Sequence, residues 1–195
     1  MEEAGTSVCC LKGSPPARSF IRVASAVLAF SASGAAFTVG VHSQNFVDET
    51  RSAAIPHRLE RQALDLINRD RLAPEYLGET RGRARPLVWD ERLAAVARAH
   101  SEEMARIGYF GHTAADGASP AQRISSAGIR WTQVGENIAS CQSIAQAEST
   151  FMDEPKFERN HRWNILNPEY TSVGVGIAKG SDGMLYITED FAQVR

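Results

Sequence analysis

The chain has 195 residues, 43% of them hydrophobic and 23% charged, with a formal net charge of −2. That length holds one domain plus an extension, and that composition is ordinary globular material. The near-neutral balance excludes a global electrostatic pull toward nucleic acid or anionic membranes, and the basic run Arg81-Gly82-Arg83-Ala84-Arg85 reads as a solvated loop.

At the N-terminus, Lys12, Arg18 and Arg22 precede an uncharged stretch from Val23 to Val41 that is rich in Ala, Ser, Val and Phe. A basic segment followed by an apolar one reads as a secretory signal, with cleavage between Ala32 and Ser43. The other reading is an uncleaved membrane anchor, although the Ser and Gly content makes a weak spanning helix. Residues 1–43 are therefore assigned to a signal peptide or anchor, 44–55 to a polar linker without period, and 56–195 to one domain. Of three cysteines, Cys9 and Cys10 precede the apolar stretch and only Cys141 lies in the domain. One thiol builds neither a disulfide framework nor a cysteine zinc site, so the domain is expected to fold without disulfides.

Pro56 suits the first turn of a helix. Leu59, Ala63, Leu66 and Ile67 then recur at helical spacing, fading near Leu72. Asp90 is an N-cap for a long apolar stripe of Leu93, Val96, Ala97, His100, Met104 and Ile107, which Gly108 ends. Ser119-Pro120 opens a short helix that Gly128 stops. Ile129 to Ile138 is strand-like. Ser143 and Gln146 form a capping box for a helix with Ile144, Ala147 and Phe151 on one face, closed by Pro155. Lys156 to Tyr170 reads as irregular. Val173, Val175 and Ile177 alternate with small residues, as do Leu185, Ile187 and Phe191, and Gly180-Ser181-Asp182-Gly183 joins the two runs as a hairpin. Consecutive strands joined by a tight turn predict an α+β fold, with a small antiparallel sheet and helices packed on it.

Common catalytic motifs are missing: no HExxH, no Gly-rich phosphate loop, no Gly-x-Ser-x-Gly and no CxxC. The polar groups in half-buried settings are His112, just past the long helix; Glu136, within the strand-like run; Glu154, at a helix end; and His161. Two imidazoles and two carboxylates suit two chemistries. They bind a divalent metal through neutral imidazole nitrogens, each ring oriented by a carboxylate. Or they act as an acid/base pair, with a carboxylate tuning a histidine. Each also has a plainer reading as a hydrogen-bonded structural residue. Glu189 shares a strand face with Leu185, Ile187 and Phe191, where a carboxylate is costly to bury unless paired.

Taken together, these segments resemble the CAP superfamily (cysteine-rich secretory proteins, antigen 5 and pathogenesis-related 1) in its bacterial SCP-domain form. The pieces occur in the family's order: Leu66-Ile67-Asn68-Arg69-Asp70-Arg71, Pro86-Leu87-Val88-Trp89-Asp90, Ala97-Arg98-Ala99-His100, Gly108-Tyr109-Phe110-Gly111-His112, Asp116-Gly117 with Pro120 and Arg123-Ile124, Gly135-Glu136-Asn137-Ile138-Ala139, His161-Arg162 with Asn164-Ile165-Leu166, Val173-Gly174-Val175-Gly176 and Asp190-Phe191. The resemblance implies an α-β-α sandwich and a cleft tetrad of His112, Glu136, Glu154 and His161. It implies zinc or another divalent ion on His112 and His161, as in some members. Lys156 to Asn160 reads as an insertion that reshapes one cleft wall. The family's flanking cysteines are absent, which argues against the sterol binding of some members. The resulting expectation is a secreted or envelope binding module for a metal, a small ligand or a partner. The alternative is a metal-dependent or acid/base hydrolase built on the same four residues. Nucleic acid is not expected as a partner, and membrane contact is expected only through an uncleaved N-terminal segment.

Overall fold

The computed structural model describes the backbone of Val8–Cys9 and of residues 42–195, with side chains from His57 onward. The leader reading over residues 1–43 therefore lies almost wholly outside the described residues. In chain order the elements are β1 (Val8–Cys9), α1 (His42–Leu72), a 3-10 turn (Pro74–Tyr76), α2 (Leu77–Thr80), β2 (Val88–Trp89), α3 (Glu91–Ile107), α4 (Pro120–Ser126), β3 (Trp131–Cys141), α5 (Ile144–Met152), α6 (His161–Leu166), β4 (Ser172–Lys179) and β5 (Leu185–Val194).

The architecture is the expected α+β sandwich, and the sheet order is β1-β3-β5-β4-β2. Its centre is antiparallel: β3 pairs β5, and β5 pairs β4 through the predicted hairpin. Two short edges add parallel pairing, β1 on β3 and β2 on β4, so the sheet is mixed rather than purely antiparallel. Strand alternation sends two residue sets to opposite faces. Val173, Val175, Ile177, Ile187, Phe191, Ala139 and Cys141 pack with Ala63 and Ile67 of α1, Phe151 of α5 and Ile165 of α6 in the main core. The other face carries Gly174, Gly176, Thr188, Asp190, Glu136 and Ile138, and α3 lies on it.

That second contact explains the Val-Gly-Val-Gly pattern of β4. A Cβ on Gly174 would collide with the backbone at Leu93–Ala94, and one on Gly176 with the backbone at Ala97–Arg98. The helix backbone thus rests on bare strand backbone. Ser101 seals the contact by donating to the carbonyl of Gly176 at 2.9 Å, with the Thr188 hydroxyl also at 2.9 Å. Asp90 caps α3 through the Arg92 amide, and Gly108 ends it in a left-handed conformation with φ of 73°.

Four expectations are corrected. Helix α1 begins at His42, so residues 44–55 are helical in their backbone and Pro56 lies inside a helix. An interior proline removes its own donor and crowds the carbonyl four residues back, which is why the sequence places it at a helix start. Within the segment read as irregular, residues 161–166 form α6, capped by Asn160, whose side-chain oxygen accepts from the Trp163 amide at 3.0 Å. Six residues are too few to display a period. The capping box at Ser143 is half made: Ser143 accepts from the Gln146 amide, but the Gln146 side chain reaches the amide of Gln142. Finally, the expectation of a domain that folds without disulfides is corrected, because Cys141, which is fully buried, is disulfide-bonded.

The close approach of α3 gives a sharp mutational contrast. Gly176→Ala should lower stability by about 1–3 kcal/mol, because its methyl meets immobile backbone. Gly78→Ala, where no atom lies within 4 Å of the added carbon, should be neutral to within about 0.5 kcal/mol. Urea denaturation of the two variants measures both.

Candidate functional site

The four predicted side chains converge at the β3 side of the sheet, in two halves. In the first, His112 follows α3 and its Nδ1 lies 2.7 Å from Glu136 Oε1 on β3. In the second, His161 opens α6, and its Nδ1 lies 2.6 Å from Glu154 Oε1 just past α5. The other oxygen of Glu154 accepts from the backbone amide of His161 at 2.8 Å. The two rings lie face to face, with centroids 6.4 Å apart and planes 24° from parallel. Phe151 backs His161 at a centroid distance of 4.8 Å. Glu136 and His161 are almost fully buried, whereas the side chains of His112 and Glu154 keep 15% and 14% exposure.

Each carboxylate accepts the Nδ1 proton of its histidine. That bond fixes which ring nitrogen carries the proton. His161 Nε2 is buried and has no hydrogen-bond partner among the described residues.

Sequence reasoning quoted Arg123 only as part of a motif. The structure makes it central. Its guanidinium donates to Glu136 Oε2, to the carbonyl of His112 at 2.7 Å and to that of Ala118 at 3.1 Å. One cation thus pairs the buried carboxylate and pins the loop that carries His112. Helix α4 aims it there, and α4 is fixed by a complete capping box between Ser119 and Gln122. On its other side Arg123 lines a cavity of about 360 Å³ with His100, Glu103 and Arg106 of α3. Burial lowers the pKa of His100, and its Nε2–H donates to the carbonyl of Gly111 at 3.0 Å. His100 is thus a buried, hydrogen-bonded residue of the α3 face.

An amide ladder joins the two halves. Asn164 donates to the carbonyl of Glu136 at 3.1 Å and to Asn137 Oδ1 at 2.9 Å. Asn137 in turn donates to the carbonyl of His161 at 3.3 Å and to Glu189 Oε2 at 3.0 Å. The Gly-Glu-Asn run of β3 and the Asn of α6 are thus two sides of one joint. Gly135 keeps it closed, since a Cβ there would meet Tyr170 and Asn164.

Glu189 sits behind this joint, fully desolvated, and burial pushes its carboxyl up to about 8 despite the Asn137 bond. Glu148 of α5, 2% exposed, is also raised by burial and by the neighbouring carboxylates of Glu189 and Asp70. A polar residue on the buried face of a short helix leaves no sequence signal beyond the period itself, so Glu148 was not singled out.

Among the described residues no group of three or more His, Cys, Asp or Glu side chains is arranged to hold a metal ion. The carboxylates are turned to the rings rather than to a shared point between them. No helix among the described residues is long and apolar enough to cross a membrane.

The profile of the cysteine-rich secretory protein family (CAP) matches residues 64–191. The uncharacterized protein YkwD of Bacillus subtilis (strain 168) is 39% identical over 93 residues, covering 47% of this chain and 35% of that protein. The uncharacterized membrane protein YlbC of the same organism is 34% identical over 134 residues, covering 68% and 34%. The chain thus aligns with about a third of the length of these curated relatives. A crystal structure of an extracellular SCP-domain protein from Bacillus anthracis superposes with a TM-score of 0.57 at 26% identity, over 71% of this chain and 41% of that one.

Two variants test the site's supports. Arg123→Met leaves the buried Glu136 without its cation and should cost about 3–5 kcal/mol, read by urea denaturation. For Glu189 the folded carboxyl titrates above its unfolded value of 4.5, so its contribution is present below that value and is lost as pH rises toward about 8. Stability should therefore decline across that window, and Glu189→Gln should flatten the decline in the same denaturation series.

Proposed function

Because the chain belongs to the cysteine-rich secretory protein (CAP) family, we propose that it is an exported binding module of the envelope or extracellular space, whose paired histidines take a divalent metal or small ligand. The observation that carries this reading is the two-fold clamp: both Nδ1 atoms are held by carboxylates, which orients the two rings toward one cleft. The extracellular SCP-domain protein of B. anthracis supports the location.

The donor set fits a metal of borderline softness such as zinc. Two imidazoles on one tetrahedral zinc, bound through nitrogens at about 2.0–2.1 Å, place their ring centroids roughly 5 Å apart; these lie 6.4 Å apart, so the rings would draw together on a shared ion. His112 and His161 would hold the ion, Glu136 and Glu154 would keep their rings neutral and aimed, and the partly exposed His112 side would admit ligand. A bound metal would supply Lewis acidity to whatever fills its remaining positions. Two protein nitrogens make an open site, which suits binding of an external donor rather than a structural role.

The test is metal content and affinity of the full chain for zinc, copper and calcium, measured by calorimetry on chelator-stripped protein. About one equivalent should bind, and His112→Ala/His161→Ala should abolish it. Glu154→Gln should weaken binding by about 10–100-fold, the usual effect of removing the group that orients a ligand. Equal binding in the double variant, or none in either protein, overturns the metal reading. Metal-dependent turnover of ester or peptide substrates that is lost in Glu136→Gln would instead favour the hydrolase.

A further inference from the structure

Behind Glu136 stands a second buried carboxyl that the paired-histidine arrangement does not use. Asp190 of β5 is the direct register partner of Glu136 across the antiparallel β3–β5 pair. Side chains so placed share a face, with Cβ atoms about 4.5–5.5 Å apart. Asp190 is completely buried, and neither of its carboxyl oxygens has a hydrogen-bond partner among the described residues. On its other flank β4 presents Gly174, which has no side chain, and α3 lies over that glycine with Leu93 and Ala94. The charged groups that bear on it are Glu136 of β3 and Arg123 of α4. Arg123 engages Glu136 and two carbonyls with two of its nitrogens, and its buried Nε makes no hydrogen bond to Asp190.

An ionised Asp190 would therefore be a buried anion without a donor, set beside a second anion. The desolvation and repulsion make that state prohibitive. A neutral acid resolves the conflict. It has one O–H to give, and the Glu136 carboxylate directly opposite is an acceptor. We propose that Asp190 keeps its proton in the folded protein and donates its O–H to Glu136, acting as a positioning residue for the His112 half of the site. Glu136 then receives three donors: the Arg123 guanidinium, the His112 Nδ1–H and the Asp190 O–H. Burial and the adjacent Glu136 carboxylate both push the Asp190 carboxyl well above its usual range, in agreement. The role of Asp190 is to hold the Glu136 side chain in place, and through it to hold His112 in the tautomer with the proton on Nδ1. The inference deepens the binding reading above, but rests only on the Glu136–His112 geometry and needs no metal.

The experiment is carbon NMR of the full, metal-free chain with its aspartate side-chain carboxyls labelled. One aspartate resonance should stay at the neutral-acid position at pH 7, and it should vanish in Asp190→Asn. If every aspartate is ionised at pH 7, or if the neutral signal survives in Asp190→Asn, the proposal fails. Nitrogen NMR of the histidines reads the positioning role. Asp190→Asn, which keeps a donor, should preserve the Nδ1–H tautomer of His112, and Asp190→Ala should mix it with the other. An unchanged tautomer in Asp190→Ala overturns that role. If Asp190→Ala does not fold, the wild-type titration and Asp190→Asn still decide the protonation. A protein that binds no metal yet shows the neutral aspartate separates failure of the binding reading from failure of this one.

Discussion

The ion pair between Glu136 and Arg123 is the interaction on which the rest of the site depends. Glu136 points from a central stretch of β3 into a region sealed from water, where an unpaired carboxylate is not tolerated. Arg123 meets that need from a helix of only seven residues, and the same guanidinium holds the backbone on both sides of the following loop. The position of His112 is thus a by-product of neutralising a buried charge. Its ring is oriented by the carboxylate, its backbone by the cation, and neither would be placed correctly without the other.

The second half is organised on a different principle. Glu154 and His161 are close in sequence, and one carboxylate holds both the ring and the amide of the same residue. What sets this half against the first is neutral: the amide ladder of Asn137 and Asn164, backed by the raised carboxyl of Glu189. Charge fixes one jaw and amides fix the spacing. Amides change little with pH, so the separation of the two rings is insulated from protonation events that reach the carboxylates. Arg71 plays a comparable part further out. It is almost fully buried, with its pKa lowered to about 10 by desolvation, and it spans the carbonyls of Arg85, Ile165 and Asn167 to hold α6 against α1.

Much of this was legible in the sequence because local physics dominates there. Helix α3 has its cap, stripe and terminating glycine in sequence, and the hairpin of β4 and β5 has alternation with a glycine-bounded turn. The four site residues came from ordered short motifs rather than from any period. What stayed hidden depends on contacts distant along the chain. Arg123 lies 13 residues from Glu136, and no rule of spacing links them. Glu148 and Asp190 are acids at positions whose burial is decided by other elements. Helix α6 is too short to announce itself, and the parallel pairing of β1 and β2 involves two residues each. The glycines of β4 were read as the small half of an alternation. Only the packed helix shows that they are there to admit another backbone.

The segment between Glu154 and His161 is the part of the structure with the most room to differ. It carries Phe157, 78% exposed and held in a left-handed backbone conformation with φ of 65°, while Asn160 closes its far end by donating to the Pro155 carbonyl at 2.9 Å. It meets the asparagine ladder at its far end, where the Asn160 carbonyl accepts from the Asn164 amide at 3.1 Å. Residues can thus be gained, lost or exchanged in this stretch without disturbing the charge balance of the opposite jaw. One wall is constrained by electrostatics and the other is bounded only by its two anchor points. A lineage carrying this domain can therefore vary what the site admits by rewriting a surface loop, while the histidine spacing is inherited unchanged.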